Sequence, residues 1–302
     1  MNKKTTGIVA ILTGMFFAPF SWGADNQLAK YATPMDGVDW QFNGDRFGCQ
    51  LHHAIDGFGT LSLVQYPAEA ITMKVESNWF QEQPVGSRSV LSAPSWLKQA
   101  PTHPHARAWQ WNGMSGQMDG SAEGYLDGLE QGWGIDIALQ LASQRSYQLV
   151  IEPVAVKSPL RAFRQCSAAL VPQPFDVVRH VTMNYATGQI LPRDAQLPML
   201  DAIAEYVAAD PRISEVLVDG HSDSTGNHLA NLVLSRQRAD ELTGLLIERG
   251  VALSQIEIRA HGQRFPLVTE RSAADREKNR RVEIRLVMSE PDSERSEEIV
   301  SD

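Results

Sequence analysis

The polar stretch "GHSDSTGNHLANLVLSRQRAD", residues 220–240, contains the residue types that bind a small charged ligand. Asp223 is an anion, and Arg238 is a guanidinium fifteen residues later. Asn231, Ser235 and Arg238 have the i, i+4, i+7 spacing that places side chains on one face of a helix. Such a site suits a zwitterion, because the carboxylate pairs with an ammonium and the guanidinium with a carboxylate. A simpler alternative is an ordinary salt bridge between Asp223 and Arg238.

Catalysis and metal binding fit the same stretch less well than binding of a charged ligand does. A hydrolase needs a nucleophile in contact with a base, but the adjacent His221 and Ser222 diverge at a strand end. His221 and Asp223 share a face with His228 nearby, but a zinc site needs a further ligand that the sequence does not supply. The histidines of "THPHARAW", residues 102–109, lie in a proline-bounded loop without further ligands beside them. We therefore expect a non-enzymatic protein without a metal or other cofactor.

The elements around this stretch alternate between strands and helices. Leu200, Ile203 and Val207 have helical spacing, and Pro198 is tolerated in a first turn. The predicted elements are a strand at 176–183, a helix at 197–210, a strand at 214–220, a helix at 227–250, and strands at 255–262 and 282–288. The polar stretch thus begins where a strand ends, a common place for ligand-binding groups. Residues 172–288 are expected to form a two-layer α+β sandwich in the order β-α-β-α-β-β.

Residues 24–171 are expected to form a mainly β domain. Segments of alternating or continuous apolar character lie at 60–66, 70–80, 134–142 and 146–156, and glycines and prolines separate them. This pattern predicts a sandwich or a barrel-like domain, followed by a proline-containing linker at 170–176. Five of the seven tryptophans lie between residues 79 and 133, where we expect them to fill a core or a partner interface.

The chain has two cysteines, Cys49 and Cys166. If the protein is exported, we expect a disulfide between them, because oxidising compartments favour paired thiols. The bond would tie together the first and last strands of the mainly β domain. The chain-entropy argument gives a loop of this length roughly 5 kcal/mol of stabilisation. The alternative is two buried free thiols.

The N-terminal residues have the pattern of a secretory signal. Two lysines precede an apolar run at 7–20, and small residues stand before an expected cleavage at Ala24. The expected signal peptide is therefore 1–23. The run is short for a membrane span, and no later segment is long and apolar enough to be one. We expect an exported protein without a span after cleavage.

The charge is unevenly distributed along the chain. The formal net charge is −9, and the tail at 289–302 contains six acidic residues against Arg295, a net of −5. Such a tail is expected to be disordered and solvated. The remaining body is nearly balanced, and it lacks the basic patch that binding to nucleic acid would require.

Three motifs resemble a known domain: "VDGHSDSTG" with "LSRQRADEL" after it, "IEIRAHGQRFP", and "NRRVEIRL". From about residue 175 to 288 the chain resembles the C-terminal domain shared by OmpA, the Pal lipoprotein and the MotB stator subunit. The resemblance implies non-covalent binding of peptidoglycan, with Asp223 and Arg238 holding the two charged ends of the diaminopimelate in the stem peptide. The positions implied to support this binding are Asn231, Ser235, Thr225, Asn279 and Arg280.

The N-terminal part is similar to the MotY family of periplasmic flagellar motor proteins. The similar segments are "YATP", "CQLHHAIDGFG", "SAPSW" and "AFRQCSAAL". This similarity implies a non-enzymatic protein in the periplasm at the flagellar basal body, with ring and stator proteins (MotX-like and MotB-like) as partners. The alternatives are a peptidoglycan-binding module of another envelope complex, or an enzyme that acts on peptidoglycan through its N-terminal domain.

Overall fold

The computed structural model describes residues 28–80, 82–94, 96 and 106–289. The expected signal peptide, the two loop histidines at 103 and 105, and the acidic tail beyond Ser289 lie outside these residues. Buried apolar side chains form two clusters, one from residues between 40 and 163 and one from residues between 171 and 286. The expected order of a mainly β part followed by an α+β part is confirmed. The boundary predicted at 171 and 172 stays a prediction, and Val171 packs in the second cluster.

The N-terminal part forms one ten-stranded sheet. Its strands are β1 (Leu28–Ala32), β2 (Trp40–Gly44), β3 (Cys49–Ile55), β4 (Gly59–Gln65), β5 (Thr72–Ser77), β6 (Pro84–Ser92), β7 (Arg107–Asn112), β8 (Ser115–Met118), β9 (Gly134–Leu141) and β10 (Ser146–Ile151). The strand order is β1-β10-β9-β6-β7-β8-β5-β4-β3-β2. β1 is parallel to β10, and the other recorded pairs are antiparallel.

The sheet curves so that its two edges approach each other. Thr33, just after β1, donates a hydrogen bond of 2.8 Å to the carbonyl of Ala54 in β3. The indole of Trp40 in β2 lies 3.4 Å from the carbonyl oxygen of Glu152, just after β10. These hydrogen bonds connect the two ends of the sheet, as in a barrel-like domain.

Two helices pack against this sheet, α1 (Glu123–Glu130) and α2 (Lys157–Ala169). Arg164 of α2 forms ion pairs with Glu123 and Asp127 on α1, which joins the two helices. The predicted disulfide is confirmed between Cys49 and Cys166, with a Cα–Cα distance of 6.0 Å. The expectation that it joins two strands is wrong, because Cys166 lies in α2 and the bond joins β3 to a helix.

The C-terminal part is a four-stranded sheet with helices. In chain order its elements are α3 (Phe175–Val178), β11 (His180–Asn184), α4 (Leu197–Ala209), β12 (Ile213–His221), α5 (His228–Glu248), β13 (Ile256–Gly262), α6 (Ala273–Asn279) and β14 (Arg281–Met288), and two 3-10 turns precede α4 and β13. The strand order is β11-β14-β12-β13, with β12 and β13 parallel. The predicted element order needs two corrections. A short helix opens the strand candidate at 176–183, and α6 stands between the last two strands.

Local sequence explains where the helix that carries Arg238 begins and how close it lies to the sheet. The side chain of Asn227 caps α5 by accepting a hydrogen bond of 2.7 Å from the backbone of Leu229. A Cβ atom on Gly220 of β12 would lie 2.1 Å from the carbonyl oxygen of Ser235. Glycine at this position therefore lets α5 pack directly on β12.

The helices of the described residues can be compared with the length and apolar character of a membrane span. Throughout the described residues, no helix combines the length and the apolar character that crossing a bilayer requires.

Candidate functional site

Arg238 is fully buried, and its guanidinium group points at backbone oxygens. Nε donates to the carbonyl of Gln189 at 2.8 Å, Nη1 to that of His221 at 3.2 Å, and Nη2 to that of Ala186 at 3.5 Å. Its Cζ atom lies 5.0 Å from the ring centroid of Tyr185, a cation–π distance. Burial lowers the pKa of Arg238 from its ordinary value, since the interior disfavours the charged form.

Among the described residues, Arg238 forms no ion pair with a carboxylate. Within the described residues, the carboxylate of Asp223 pairs instead with Arg280, at 2.8 Å. Arg280 also donates from Nε to the carbonyl of Tyr185 at 3.0 Å, so Tyr185 adjoins both arginines. The alternative of an ordinary Asp223–Arg238 salt bridge is therefore not what the structure contains. A buried guanidinium that donates its hydrogen bonds to neutral carbonyl oxygens favours an added anion, because burying a charge is costly.

Asn231 and Ser235 hold the backbone around this centre. The amide of Asn231 donates to the carbonyls of Asp223 and Thr225, each at 3.1 Å, and thereby fixes the loop that follows β12. Ser235 is fully buried, and its hydroxyl accepts a hydrogen bond of 3.0 Å from the backbone of Gly262. Both side chains thus already have partners in the protein. Thr225 is exposed, and its backbone N–H donates to Asp223 at 3.1 Å.

Asn279 and Glu270 join the same loop to the segment that follows β13. Asn279 is fully buried and donates to Glu270 at 2.9 Å and to the carbonyl of Val268 at 2.9 Å. Glu270 accepts hydrogen bonds from the backbone and the hydroxyl of Ser224, at 2.9 and 2.5 Å. Burial raises the pKa of Glu270, but the hydrogen bonds from Ser224 and Asn279 outweigh burial and leave it below its ordinary value. The carboxylate therefore stays charged and holds the loop.

A histidine pair lies beside the site on the sheet. The rings of His221 and His261 stack at 4.7 Å, and His261 contacts the buried Asp219 at 2.8 Å. Burial, with added repulsion from Arg281 and His261, lowers the pKa of His221 to about 4. His221 is thus neutral at neutral pH, while its backbone carbonyl accepts a hydrogen bond from Arg238.

Three loops therefore meet around the predicted binding residues: the segment after β11, the loop after β12 and the segment between β13 and α6. The sequence motifs indicate residues from the second loop, from α5 and from the end of α6. They do not indicate Tyr185, Gln189 and Glu270, which come from the other two loops. Tyr185 directly follows β11, and Gln189 and Glu270 lie further along their loops without a sequence signal. In the part of the chain that the structure describes, no group of three or more His, Cys, Asp or Glu side chains could hold a metal ion.

Comparison with known proteins first defines the class of the C-terminal part. Residues 187–280 match the OmpA family, so this part of the chain is an OmpA-like domain. Residues 31–172 match the MotY N-terminal domain. The chain therefore joins a MotY N-terminal domain to an OmpA-like domain, and the resemblance drawn from the sequence motifs is confirmed.

One relative is similar along most of the chain. The sodium-type flagellar protein MotY of Vibrio parahaemolyticus is 27% identical over 250 residues, which are 79% of this chain and 83% of that protein. The probable lipoprotein YiaD of Escherichia coli is 36% identical over 107 residues, or 35% of this chain and 48% of YiaD. The peptidoglycan-associated lipoprotein of Legionella pneumophila is 34% identical over 29% of this chain and 49% of its own length. The chain thus spans about half the length of the two lipoproteins.

Solved structures similar to this chain each cover about a third of it. The peptidoglycan-associated lipoprotein from Burkholderia pseudomallei has a TM-score of 0.34 and 24% identity, and the match covers 35% of this chain and 89% of that one. The C-terminal domain of Helicobacter pylori MotB has a TM-score of 0.34 and 23% identity over 36% of this chain and 85% of its own.

Proposed function

We propose that this protein is a non-enzymatic periplasmic component of the flagellar motor that anchors the basal-body ring and the stator units to peptidoglycan. The OmpA-like domain binds the wall, and the MotY N-terminal domain docks on ring and stator proteins, MotX-like and MotB-like partners among them. The similarity to a flagellar MotY along most of the chain supports the motor assignment.

The buried guanidinium of Arg238 is the observation that supports wall binding best. It lies among neutral carbonyl oxygens, so a ligand carboxylate beside it gains an interaction that water does not screen. Asp223 and Glu270 supply negative charge next to the two arginines, which suits an ammonium group on the same ligand. Diaminopimelate in the stem peptide has both an ammonium and a carboxylate at its free end. We therefore assign it as the group that this site holds.

In this assignment the named residues have different roles. Asp223 and Arg238 contact the ligand, and Arg280 orients Asp223 through their ion pair. Asn231, Ser235 and Asn279 position the loops, because their side chains already bind backbone groups of the site. Thr225, which is exposed at the tip of the loop, contacts the wall strand beside the stem peptide.

A peptidoglycan-binding module of another envelope complex is the second candidate. The observation in its favour is that the OmpA-like part also matches two lipoproteins, YiaD and the peptidoglycan-associated lipoprotein. In that case the N-terminal domain would dock on a different partner. Deletion of the gene separates the two candidates. A motor component leaves filaments assembled and abolishes or weakens rotation, whereas a module of another complex leaves swimming speed unchanged.

Sedimentation with purified sacculi tests wall binding directly. The full-length mature protein should sediment with sacculi that contain diaminopimelate, and it should bind lysine-type sacculi at least several-fold more weakly, because Arg238 then lacks a carboxylate. Release of soluble wall fragments in the same incubation would contradict a non-enzymatic role. Equal binding to both kinds of sacculi would contradict the ligand assigned to Arg238.

A further inference from the structure

A short turn of the N-terminal domain reaches the core of the OmpA-like domain. The turn is Asp45–Gly48 between β2 and β3, and Phe47 packs against the second hydrophobic cluster rather than the first. The rings of Phe47 and the buried Tyr206 of α4 are 5.2 Å apart, and Phe175 contacts the same tyrosine at 5.6 Å. Phe47 thus contributes to the core of a domain that begins more than a hundred residues later.

Polar contacts of the neighbouring Arg46 reinforce this packing. Arg46 forms an ion pair with Glu205 of α4 at 3.4 Å. Its backbone carbonyl accepts a hydrogen bond of 3.0 Å from Val171, and its Nε donates to the carbonyl of Ala169 at 3.3 Å. The turn therefore contacts the end of α2, the segment that connects the domains, and helix α4 at the same time.

The disulfide and the turn's own hydrogen bonds keep it in a single shape. The carboxylate of Asp45 accepts hydrogen bonds from the backbone of Phe47 and Gly48, at 2.7 and 3.2 Å. The sulfur of Cys166 lies 3.3 Å from the carbonyl oxygen of Asp45, and its partner Cys49 follows the turn directly. Phe47 is thus presented from a rigid support, so its insertion costs little conformational entropy.

We infer that the Asp45–Gly48 turn is a joint that holds the two domains of this protein as one rigid body. A connecting segment alone would let the domains reorient, because interfaces between domains of one chain are mobile by default. The aromatic contact across this joint and the ion pair beside it remove that freedom. This inference does not depend on which ligand the OmpA-like domain binds. If the protein links the motor to the wall as proposed above, the joint transmits force between the two ends.

Rotational tumbling measured by ¹⁵N relaxation tests the joint in the full-length mature protein. The amides of both domains should report one correlation time in the wild type. In Phe47→Ala the two domains should report two different times, each shorter than that of the wild type, whereas Phe47→Leu should remain close to the wild type. Arg46→Ala should shift the times in the same direction by a smaller amount. Arg145→Ala is the matched control, because it breaks an exposed ion pair with Glu82 inside the N-terminal domain.

Two results would overturn the inference: separate correlation times for the two domains of the wild type, or a single unchanged time in Phe47→Ala. Sacculus binding by Phe47→Ala, measured in parallel, should remain within about twofold of the wild type. The turn is distant from Arg238 in the sequence and does not contact it. A loss of binding with unchanged tumbling would place Phe47 in the wall site and so contradict the joint. Failure of the wild type to bind sacculi would contradict the proposed function, but it would not change the conclusion about the joint that the tumbling measurement gives.

Discussion

Arg238 is a positive charge that folding removes from water, and its hydrogen-bond partners are neutral carbonyl oxygens. Arg238→Lys keeps the charge and loses the planar fork that binds a carboxylate with two hydrogen bonds. We expect sacculus affinity to fall roughly tenfold or more, since a hydrogen bond to a charged group contributes about 1.5–3 kcal/mol. Asp223→Ala should weaken binding by a similar factor. Sedimentation at several protein concentrations measures both.

The control for these variants is Arg236→Ala. Arg236 lies on the same helix, is exposed, and pairs with Asp240 four residues later, so its loss should leave affinity unchanged. Thermal unfolding of each variant separates ligand binding from a structural role. If Arg238→Lys lowers the melting temperature while affinity per folded molecule stays at the wild-type value, Arg238 is a structural residue and the ligand assignment fails.

His221 gives the OmpA-like domain a defined dependence on pH. Burial first, and then Arg281 and His261, lower its pKa from 6.5 to about 4 in the folded protein. Between pH 6.5 and pH 4 this histidine binds a proton in the unfolded chain but not in the folded protein. Its contribution to the free energy of unfolding is therefore fully present above pH 6.5 and decreases as the pH falls. Below pH 4 the loss in the free energy of unfolding approaches a value on the order of 3 kcal/mol. Urea unfolding from pH 7 to 4 measures this slope.

His221→Gln should make the slope shallower over this range, because it removes the group that titrates. His228→Gln is the matched control, since His228 is exposed at the start of α5. An equal decrease of the slope in both variants would show that the buried position of His221 is not the cause.

At the residue scale, the sequence predicts the residues near one another in the chain and misses those brought in from elsewhere. Asp223, Asn231 and Arg238 follow from one stretch and one helical period. Arg238 binds backbone carbonyls of Gln189, His221 and Ala186, and a sequence does not show which carbonyls the fold brings to a side chain. Glu270 is one acid among many in the sequence, and only the fold brings it to Ser224. Spacing alone could not have indicated that Asp223 pairs with Arg280 rather than Arg238.

At the element scale, the contact between α5 and β12 depends on the absence of a side chain at Gly220. In Gly220→Ala the new Cβ would meet the carbonyl oxygen of Ser235 at 2.1 Å, so the helix must move. Overpacking of this kind costs about 1–3 kcal/mol or more. We expect lower stability in urea and weaker sacculus binding, because α5 carries Arg238.

Gly244→Ala in the same helix should have the opposite effect on stability. A Cβ there meets no atom within 4 Å, and alanine replaces glycine in a helix interior. Alanine is favoured over glycine in that position by about 0.8–1 kcal/mol. Equal destabilisation by the two substitutions would contradict the role given to the close approach at Gly220, because a Cβ at Gly244 meets no atom within 4 Å.

The disulfide joins β3 to α2, whereas the expectation from the sequence was a bond between the first and last strands of the domain. Pro159 in a first turn and buried Leu160 and Phe163 at three-residue spacing are helix signals. The last apolar segment predicted from the sequence ended at residue 156, yet the bond at Cys166 was still expected to involve the last strand. Strand patterns are easy to extend too far, because a short apolar run alone does not separate a strand from a helix.

A thiol assay on denatured, non-reduced protein should find no free thiol. Cys49→Ser or Cys166→Ser should destabilise chiefly the N-terminal domain, by up to roughly 5 kcal/mol for a loop of this length. Calorimetry should show the transition of that domain shifted to lower temperature by more than the transition of the OmpA-like domain. Two titratable thiols in the wild type would contradict the pairing.

At the scale of the whole molecule, composition and periodicity predicted the two parts and their types, because each part has a consistent pattern along the chain. The contact between the parts was not predictable. In the sequence, Phe47 is a single apolar residue in a turn, and nothing nearby indicates that Tyr206 is its partner. The order of the ten strands in the first sheet was also not predictable, since strand pairing depends on contacts between distant segments.

A division of labour between the two parts is the prediction that belongs to this scale. A fragment of residues 172–289 should fold and sediment with sacculi, because the second hydrophobic cluster lies almost entirely within it and the residues of the proposed wall site lie there too. A fragment of residues 24–171 keeps the disulfide and the first cluster, and it should localise to the flagellar base without binding sacculi.

The joint at Asp45–Gly48 leads to a further expected result for these fragments, which concerns the stability of the C-terminal one. Without the N-terminal domain, Tyr206 loses its contact with Phe47, so the C-terminal fragment should melt at a lower temperature than the same domain in the full chain. Its sacculus affinity should still match that of the full chain, because Arg238 and Asp223 make no contact with the turn. Fluorescent fusions measure localisation, and circular dichroism confirms folding. If the N-terminal fragment is folded but fails to reach the flagellar base, docking requires the OmpA-like domain, and the two functions are not separable along the chain.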